Sequence, residues 1–173
     1  RALELSGDGS YVQLPGQALA GEDTISVAGW LYLPTGASGP FFDFGQSPSM
    51  RMLAGVTSAS LRASVVSGGA SRETAAAAVP VNQWIHVAVV LDPARRVLTT
   101  YLDGARVGQA ADVAATAVQL ISQTSGDANR LYLGRSQDAA APTLQGRLRD
   151  FRIYRVALTD AQVATIYRNA AGG

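Results

Sequence analysis

Residues 144–167, which read LQGRLRDFRIYRVALTDAQVATIY, decide the fold. Over 144–154 the sequence alternates with a period of two, which is typical of a β-strand because successive side chains point to opposite faces of a sheet. The period changes at Thr159. Thr159 and Gln162 fit the S/T-x-x-E/Q capping box of a helix start, and apolar residues follow at helical spacing. The stretch therefore predicts a strand, a turn and one short amphipathic helix.

The rest of the chain consists of short alternating or apolar stretches separated by turn residues. Asp103-Gly104 lies between two such stretches and is a strong hairpin signal. The alanine-rich segment 74–79 is predicted to be an edge strand, since it is short and is followed by a proline. Residues 120–121 are predicted to be a further strand. Many short strands with one terminal helix predict a two-sheet antiparallel sandwich, with a single domain over residues 1–173.

Several of these stretches resemble the laminin-G-like domains of the concanavalin A-like jelly-roll superfamily, which includes the pentraxins. The matching stretches are ALELSGDGSYV at 2–12, TISVAGW at 24–30, WIHVAV at 84–89, YLDGARVG at 101–108, LYLG at 131–134 and FRIYRVALTDAQVATIY at 151–167. The resemblance covers almost the whole chain and implies an all-β jelly-roll sandwich with a short C-terminal helix. Lectins, enzymes and adhesion modules share this fold, so function has to be inferred from individual sites.

Composition excludes several classes of function. Charged residues make up 16% of the chain and the net charge is +1, which predicts no binding to nucleic acid. All basic residues are arginines. The absence of cysteine excludes disulfides, thiol nucleophiles and cysteine-rich zinc sites. No apolar run approaches the ~18 residues that span a bilayer, so no membrane insertion is expected.

The first residues carry no signal-peptide pattern, because the sequence starts in a predicted strand. We therefore expect a fragment of a larger secreted or cell-surface bacterial protein, with any signal peptide outside the sequence.

Residues that could support catalysis are few. Glu4, Glu22 and Glu73 are isolated from one another, whereas glycosidases need two carboxylates facing one cleft. His86, the only histidine, has two interpretations: a general base or metal ligand, or a sheet histidine hydrogen-bonded to a neighbour. Neither a serine elbow nor a second histidine accompanies it. The chain is therefore predicted not to be an enzyme, with any catalysis residing in another domain of the parent protein.

The family resemblance also implies one structural calcium ion. Its ligands would include an acid in the opening turn and an acid before the last strand's apolar run, which are Asp8 and Asp150 here. The first acid of the family's usual pair is replaced by Arg149, which removes a negative charge. The alternative is that Asp150 forms an ion pair with a nearby arginine.

Carbohydrate binding is the function that the resemblance favours. Aromatic and planar polar side chains at loop ends are the groups that hold sugars. The candidates are Tyr32, Asp43, Arg51, Arg62 and Arg135. Trp30 and Trp84 are assigned to the core because they lie in strand patterns. The predicted function is a non-catalytic carbohydrate-binding accessory module, of the kind attached to glycoside hydrolases, with a polysaccharide and neighbouring domains as partners.

The alternative is a structural or adhesive module that contacts a neighbouring domain or a protein and binds no sugar. The two functions differ in an observable way. A carbohydrate-binding module should show polar groups converging on a concave surface, and a structural module an exposed apolar patch.

Overall fold

The computed structural model of the chain describes residues 1–121 and 129–171. Two antiparallel sheets pack face to face. The strands of the first sheet, in spatial order, are β1 (Leu3–Ser6), β13 (Gln145–Tyr154), β3 (Ile25–Tyr32), β9 (Trp84–Asp92), β10 (Val97–Leu102) and β11 (Ala105–Ala110). Those of the second sheet are β2 (Val12–Leu14), β12 (Arg130–Leu133), β4 (Gly39–Ser47), β5 (Met50–Thr57), β6 (Ser60–Ser67) and β7 (Ala70–Glu73), with β8 (Ala77–Ala78) also paired to β6.

Two helices complete the structure, α1 (Ala117–Leu120) and α2 (Asp160–Ala171). The start of α2 is the predicted capping box. The Thr159 hydroxyl accepts from the backbone N–H of Gln162 at 3.3 Å, and the Gln162 side chain accepts from the backbone N–H of Thr159 at 2.9 Å. The predicted all-β jelly-roll sandwich with a short C-terminal helix is confirmed. No helix in the described part of the chain is long and apolar enough to cross a membrane.

The core lies between the two sheets and follows the alternation of the strands. Val27 of β3 and Val87 of β9 point inward, as do Met52 of β5 and Leu61 of β6, and all four are fully buried. Each such side chain contributes roughly 1.5–3 kcal/mol by leaving water. Burial of the first sheet's inner face against the second sheet therefore holds the sandwich together.

The outer face of the first sheet carries a smaller apolar cluster beneath α2. Ala28, Ala88 and Tyr101 pack there against Leu158 and Val163. Because the alanine side chains are short, the helix lies close to the sheet. The helix covers only part of this face.

The turn after β10 fits closely under α2. Gly104 has a φ of +80°, and a Cβ at this position would lie 3.2 Å from the Cα of Ala164. Asp103 has a φ of +47°, and its carboxylate accepts a hydrogen bond from the backbone N–H of His86 at 2.9 Å. The predicted Asp103-Gly104 hairpin is therefore present, and it is also a contact point for the helix.

Two local expectations were wrong. Residues 120–121 are not a strand, because Thr116 and Gln119 form a second capping box that starts α1. In segment 74–79 only Ala77–Ala78 is a strand, since the Thr74 hydroxyl accepts from the backbone N–H of Ala63 and interrupts the ladder. The predicted polar loop at 124–130 lies mostly outside the described residues.

The assignment of the tryptophans to the core is confirmed for Trp30 and is wrong for Trp84. Trp30 and Trp84 share the outer face of the first sheet, where Trp30 is buried and Trp84 is half-buried. Strand alternation shows which residues share a face with each tryptophan, but it does not show which of the two faces lies against the other sheet. The covering residues that bury Trp30, Tyr167 and Arg149, come from distant parts of the chain.

Candidate functional site

A depression crosses the outer face of the second sheet, and we call it the trough. Its floor consists of Leu53, Gly55 and Thr57 of β5. One part has a volume of about 490 Å³, and an adjoining part, which shares the floor residues, has about 160 Å³. The walls are formed by Ser60, Arg62, Ser64, Glu73 and Ala76 on one side, and by Ser136, Ala141 and Pro142 on the other. The trough is therefore a concave surface that several strands build together.

The strand register brings the polar groups of the trough together. Arg62 lies opposite Gly55, and Ser64 lies opposite both Leu53 and Glu73 on the two neighbouring strands. Because residues two apart share a face, these side chains all point away from the core. The pairings of β6 with β5 and with β7 thus bring hydroxyl, guanidinium and carboxylate groups together on one side of the sheet.

An ion pair between Arg62 and Glu73 dominates the wall of the trough. The Arg62 Nη1 atom lies 3.0 Å from Glu73 Oε2, and the two side chains are 57% and 48% exposed. The guanidinium supplies only hydrogen-bond donors and the carboxylate only acceptors. An exposed pair of this kind adds little to stability, but each partner holds the other in a defined position.

The opposite wall is anchored by Asp43, whose side chain is completely buried. One oxygen, Oδ2, accepts hydrogen bonds from Arg51 Nη1 at 2.8 Å, from Ser136 Oγ at 3.0 Å and from the backbone N–H of Gln137 at 2.9 Å. Burial raises the pKa of the Asp43 carboxyl, and the hydrogen bonds from Gln137 and the charge of Arg51 oppose that rise. Asp43 and Arg51 therefore hold Ser136 and Gln137, at the start of this wall, in place.

Arg135 forms a separate cluster near β2 and β12. Its guanidinium carbon lies 4.6 Å from the ring centre of Tyr11 and 5.3 Å from that of Tyr132. The two rings meet edge to face at 5.4 Å. Tyr132 pairs with Asp43 in the strand register, so this cluster is on the same outer face as the trough.

The structure thus divides the predicted carbohydrate-binding residues. Arg62 lines the trough, and Asp43 and Arg51 support its wall. Arg135 lies elsewhere on the same face, and Tyr32 is on the first sheet, on the other side of the molecule. Asp43 and Arg62 also lie within strands and not at loop ends. Whether these residues bind sugar stays a prediction.

Sequence reasoning missed Leu53, Ser64 and Glu73 as trough residues. Their positions follow from the alternation of β5 and β6, which could have been used to find the solvent-facing residues. The pairing of Glu73 with Arg62 depends on the register of two strands, which the sequence leaves open.

Asp8 and Asp150, the two acids expected to bind calcium, lie apart in the structure. Ser6 pairs with Gln145, so the turn that carries Asp8 lies about five residues along β13 from Asp150, roughly 17 Å at strand spacing. Asp150 is held by Arg152 through two hydrogen bonds of 2.9 and 3.0 Å. No group of three or more potential metal-ligating side chains occurs within residues 1–121 and 129–171. The structure thus shows the alternative, an arginine partner for Asp150, and calcium binding by Asp8 or Asp150 stays a prediction.

The isolated glutamates each lie beside an arginine. Glu4 is 3.6 Å from Arg147, and Glu22 is 3.2 Å from Arg155. Glu73 pairs with Arg62, as described above. Each of the three carboxylates is thus adjacent to an arginine and distant in sequence from the other two.

His86 is buried on the outer face of the first sheet. Its ring lies 5.4 Å from that of Trp30 and 5.9 Å from that of Tyr167. Nδ1 has no hydrogen-bond partner among the described residues, so the expectation of a sheet histidine hydrogen-bonded through its side chain was wrong for this atom. Burial lowers the pKa of His86, and the nearby carboxylates of Asp103 and Asp150 oppose the shift. The ring is therefore held mainly by aromatic packing.

A family model described as the concanavalin A-like lectin/glucanases superfamily matches residues 6–164. The chain belongs to this superfamily. The match confirms the resemblance found in the sequence and covers both sheets and the start of α2. A comparison with curated protein sequences gives no match.

Several solved structures are similar in fold over nearly the whole chain. A native heptameric SAP-like pentraxin from Limulus polyphemus has a TM-score of 0.71 and 18% identity, covering 96% of this chain and 81% of that one. The CBM40 of Ruminococcus gnavus IT-sialidase, solved with α2,3 sialyllactose, has a TM-score of 0.73 and 15% identity over 96% of both chains. The botulinum neurotoxin serotype G binding domain has a TM-score of 0.73 and 11% identity, covering 98% of this chain and 42% of that one. At these identities the likeness concerns the fold.

Proposed function

We propose that this chain is a non-catalytic carbohydrate-binding module that holds its ligand in the trough. The observation that carries the proposal is the convergence of Arg62, Glu73 and Ser64 on one concave surface. Hydroxyl groups of a sugar both donate and accept hydrogen bonds, and this set offers partners for both. Support also comes from the lectin-like superfamily and from the sialyllactose complex of the Ruminococcus gnavus module.

The trough is better suited to a neutral glycan than to an acidic one. The Arg62 guanidinium already has a carboxylate partner at 3.0 Å, so a second carboxylate from a ligand would be repelled by Glu73. None of the described lining residues is aromatic, and the apolar contacts come from Leu53 and Pro142. We therefore expect neutral polysaccharide binding of moderate affinity, without aromatic stacking.

We further propose that the module is part of a larger secreted bacterial protein and brings it to polysaccharide. The neighbouring domains would then carry any catalysis. The proposal does not depend on calcium, because Asp8 and Asp150 are not among the residues that line the trough.

The experiment is a glycan array with a pull-down on insoluble polysaccharides, using the unmodified protein and the Arg62→Gln and Glu73→Gln variants. Each substitution removes one charge of the pair; Glu73→Gln keeps the shape of the side chain, and Arg62→Gln shortens it. We expect binding to neutral glycans to weaken by about tenfold or more, since hydrogen bonds to charged groups are among the stronger ones. Binding should be unchanged when a calcium chelator is added.

The matched control is Arg72→Gln. Arg72 neighbours Glu73 on β7 but pairs with Val65, whose side chain points into the core, so Arg72 projects away from the trough. Equal losses in the Arg72 and Arg62 variants would show that general charge and not the trough governs binding. Failure of the folded, unmodified protein to bind any glycan would favour the structural module.

A further inference from the structure

A cluster of stacked aromatic and arginine side chains occupies the part of the first sheet's outer face that α2 does not cover. We call Tyr32, Trp84, Arg147 and Arg149 the tryptophan–arginine cluster, with Trp30 beneath it. The strand register generates it: Arg147 lies opposite Tyr32, which lies opposite Trp84, and Arg149 lies opposite Trp30. The cluster is on the sheet opposite the trough, so it is a separate surface.

The guanidinium of Arg149 lies over two indole rings. Its guanidinium carbon lies 4.6 Å from the ring centre of Trp84 and 5.0 Å from that of Trp30. Arg147 lies over Tyr32 at 5.3 Å, and the rings of Tyr32 and Trp84 are 5.7 Å apart. Cation–π contacts of this kind restrict an arginine that would otherwise be mobile. Because the guanidinium is already ordered, less conformational entropy is lost when a ligand binds to it.

The charge of Arg149 is not balanced by any carboxylate in the part of the chain that the structure describes. Among the described residues no carboxylate lies within ion-pair distance of it, and the adjacent Asp150 is bound to Arg152. Arg147 has only Glu4, at 3.6 Å, and both of these side chains are more than half exposed. The cluster thus presents fixed cationic donors with a net positive charge.

We propose that the tryptophan–arginine cluster binds an acidic segment of a partner protein, with a carboxylate on Arg149. Tryptophan, tyrosine and arginine are the residues enriched at the energetic centres of protein interfaces. The arginines lie over the rings on which a sugar would stack, which favours a carboxylate-bearing peptide over a glycan. A cavity of about 380 Å³, lined by Tyr32, Pro34 and Arg147 among others, adjoins the cluster and offers space for a neighbouring side chain.

The test is a selection of random twelve-residue displayed peptides on the unmodified protein, followed by affinity measurement of the most enriched peptide. We expect enrichment of aspartate and glutamate, binding that weakens with added salt, and a change in tryptophan fluorescence on binding. Arg149→Gln should weaken the affinity for the peptide by at least about tenfold, because a charge-assisted bidentate contact is lost. Arg149→Lys should lose part of the affinity, since lysine keeps the charge but not the planar fork.

Arg168→Gln is the matched control, because Arg168 is an exposed arginine of α2 whose described contact is with Thr165 and not with the cluster. Enriched peptides without acidic residues, or peptides that bind Arg149→Gln as well as the unmodified protein, would overturn the proposal. The proposal would also be overturned if no peptide bound and an acidic polysaccharide such as polygalacturonate bound in a manner that depended on Arg149. Circular dichroism of each variant establishes that it is folded.

The two surfaces are distinguished by crossing the variants. Arg62→Gln should leave peptide binding unchanged, and Arg149→Gln should leave glycan binding unchanged. Loss of both activities in either variant would contradict the assignment of two separate sites.

Discussion

At the scale of single residues, His86 gives the stability of the fold a pH dependence. Burial beneath Tyr167 and beside Trp30 lowers its pKa from the usual 6.5. The unfolded chain therefore takes up a proton more readily than the folded one. The stability contributed by neutral His86 is fully present above about pH 6.5 and is lost as the pH falls from there through the lower pKa of the folded state.

We expect the free energy of unfolding in urea to fall between pH 7.5 and pH 5.5 for the unmodified protein. His86→Phe keeps an aromatic ring against Trp30 and Tyr167 but cannot be protonated, so its stability should change less over the same interval. Because His86 is the only histidine, no other imidazole contributes. An identical pH dependence in the two proteins would show that His86 is not the cause.

At the scale of elements, the capping box of α2 determines how firmly the helix covers the first sheet. Thr159→Ala removes the hydroxyl that accepts from Gln162 and should lower the free energy of unfolding by about 1 kcal/mol. Urea unfolding followed by circular dichroism measures the change.

The control for this cap is Thr165→Ala, the same substitution inside α2. The Thr165 hydroxyl donates to the Ala161 carbonyl, which is already part of the helix, and alanine is the better helix former. This variant should be as stable as the unmodified protein or slightly more stable. If both variants lost equal stability, the loss would reflect threonine packing and not the cap.

At the scale of the whole molecule, the two sheets share one apolar core, which contains residues from both. We expect a single cooperative unfolding transition, because neither sheet buries its inner face alone. Tryptophan fluorescence, which reports on Trp30 and Trp84 of the first sheet, should follow the same curve as the far-ultraviolet circular dichroism of the whole chain. Separate midpoints would contradict the expected single domain over residues 1–173.

Local patterns predicted the elements whose signals are short in range. Thr159 and Gln162 lie three residues apart, and Asp103-Gly104 marks its turn by backbone preference, so both could be identified without the fold. The strand predicted at 120–121 failed because the capping signal of Thr116 and Gln119 was not recognised. The separation of Asp8 from Asp150 depends on the register between β1 and β13, which the sequence leaves open.

The sequence by itself determined the superfamily, the alternation of inward and outward side chains and the helix at the end of the chain. These properties depend on residues near one another in the sequence, through the periods of strand and helix. Only the tertiary structure decided which outward residues meet. Arg62 reaches Glu73, and Arg149 reaches Trp84, through the register of neighbouring strands. Register is set by the packing of the whole sheet, because a shift of one residue would turn every side chain of a strand to the other face.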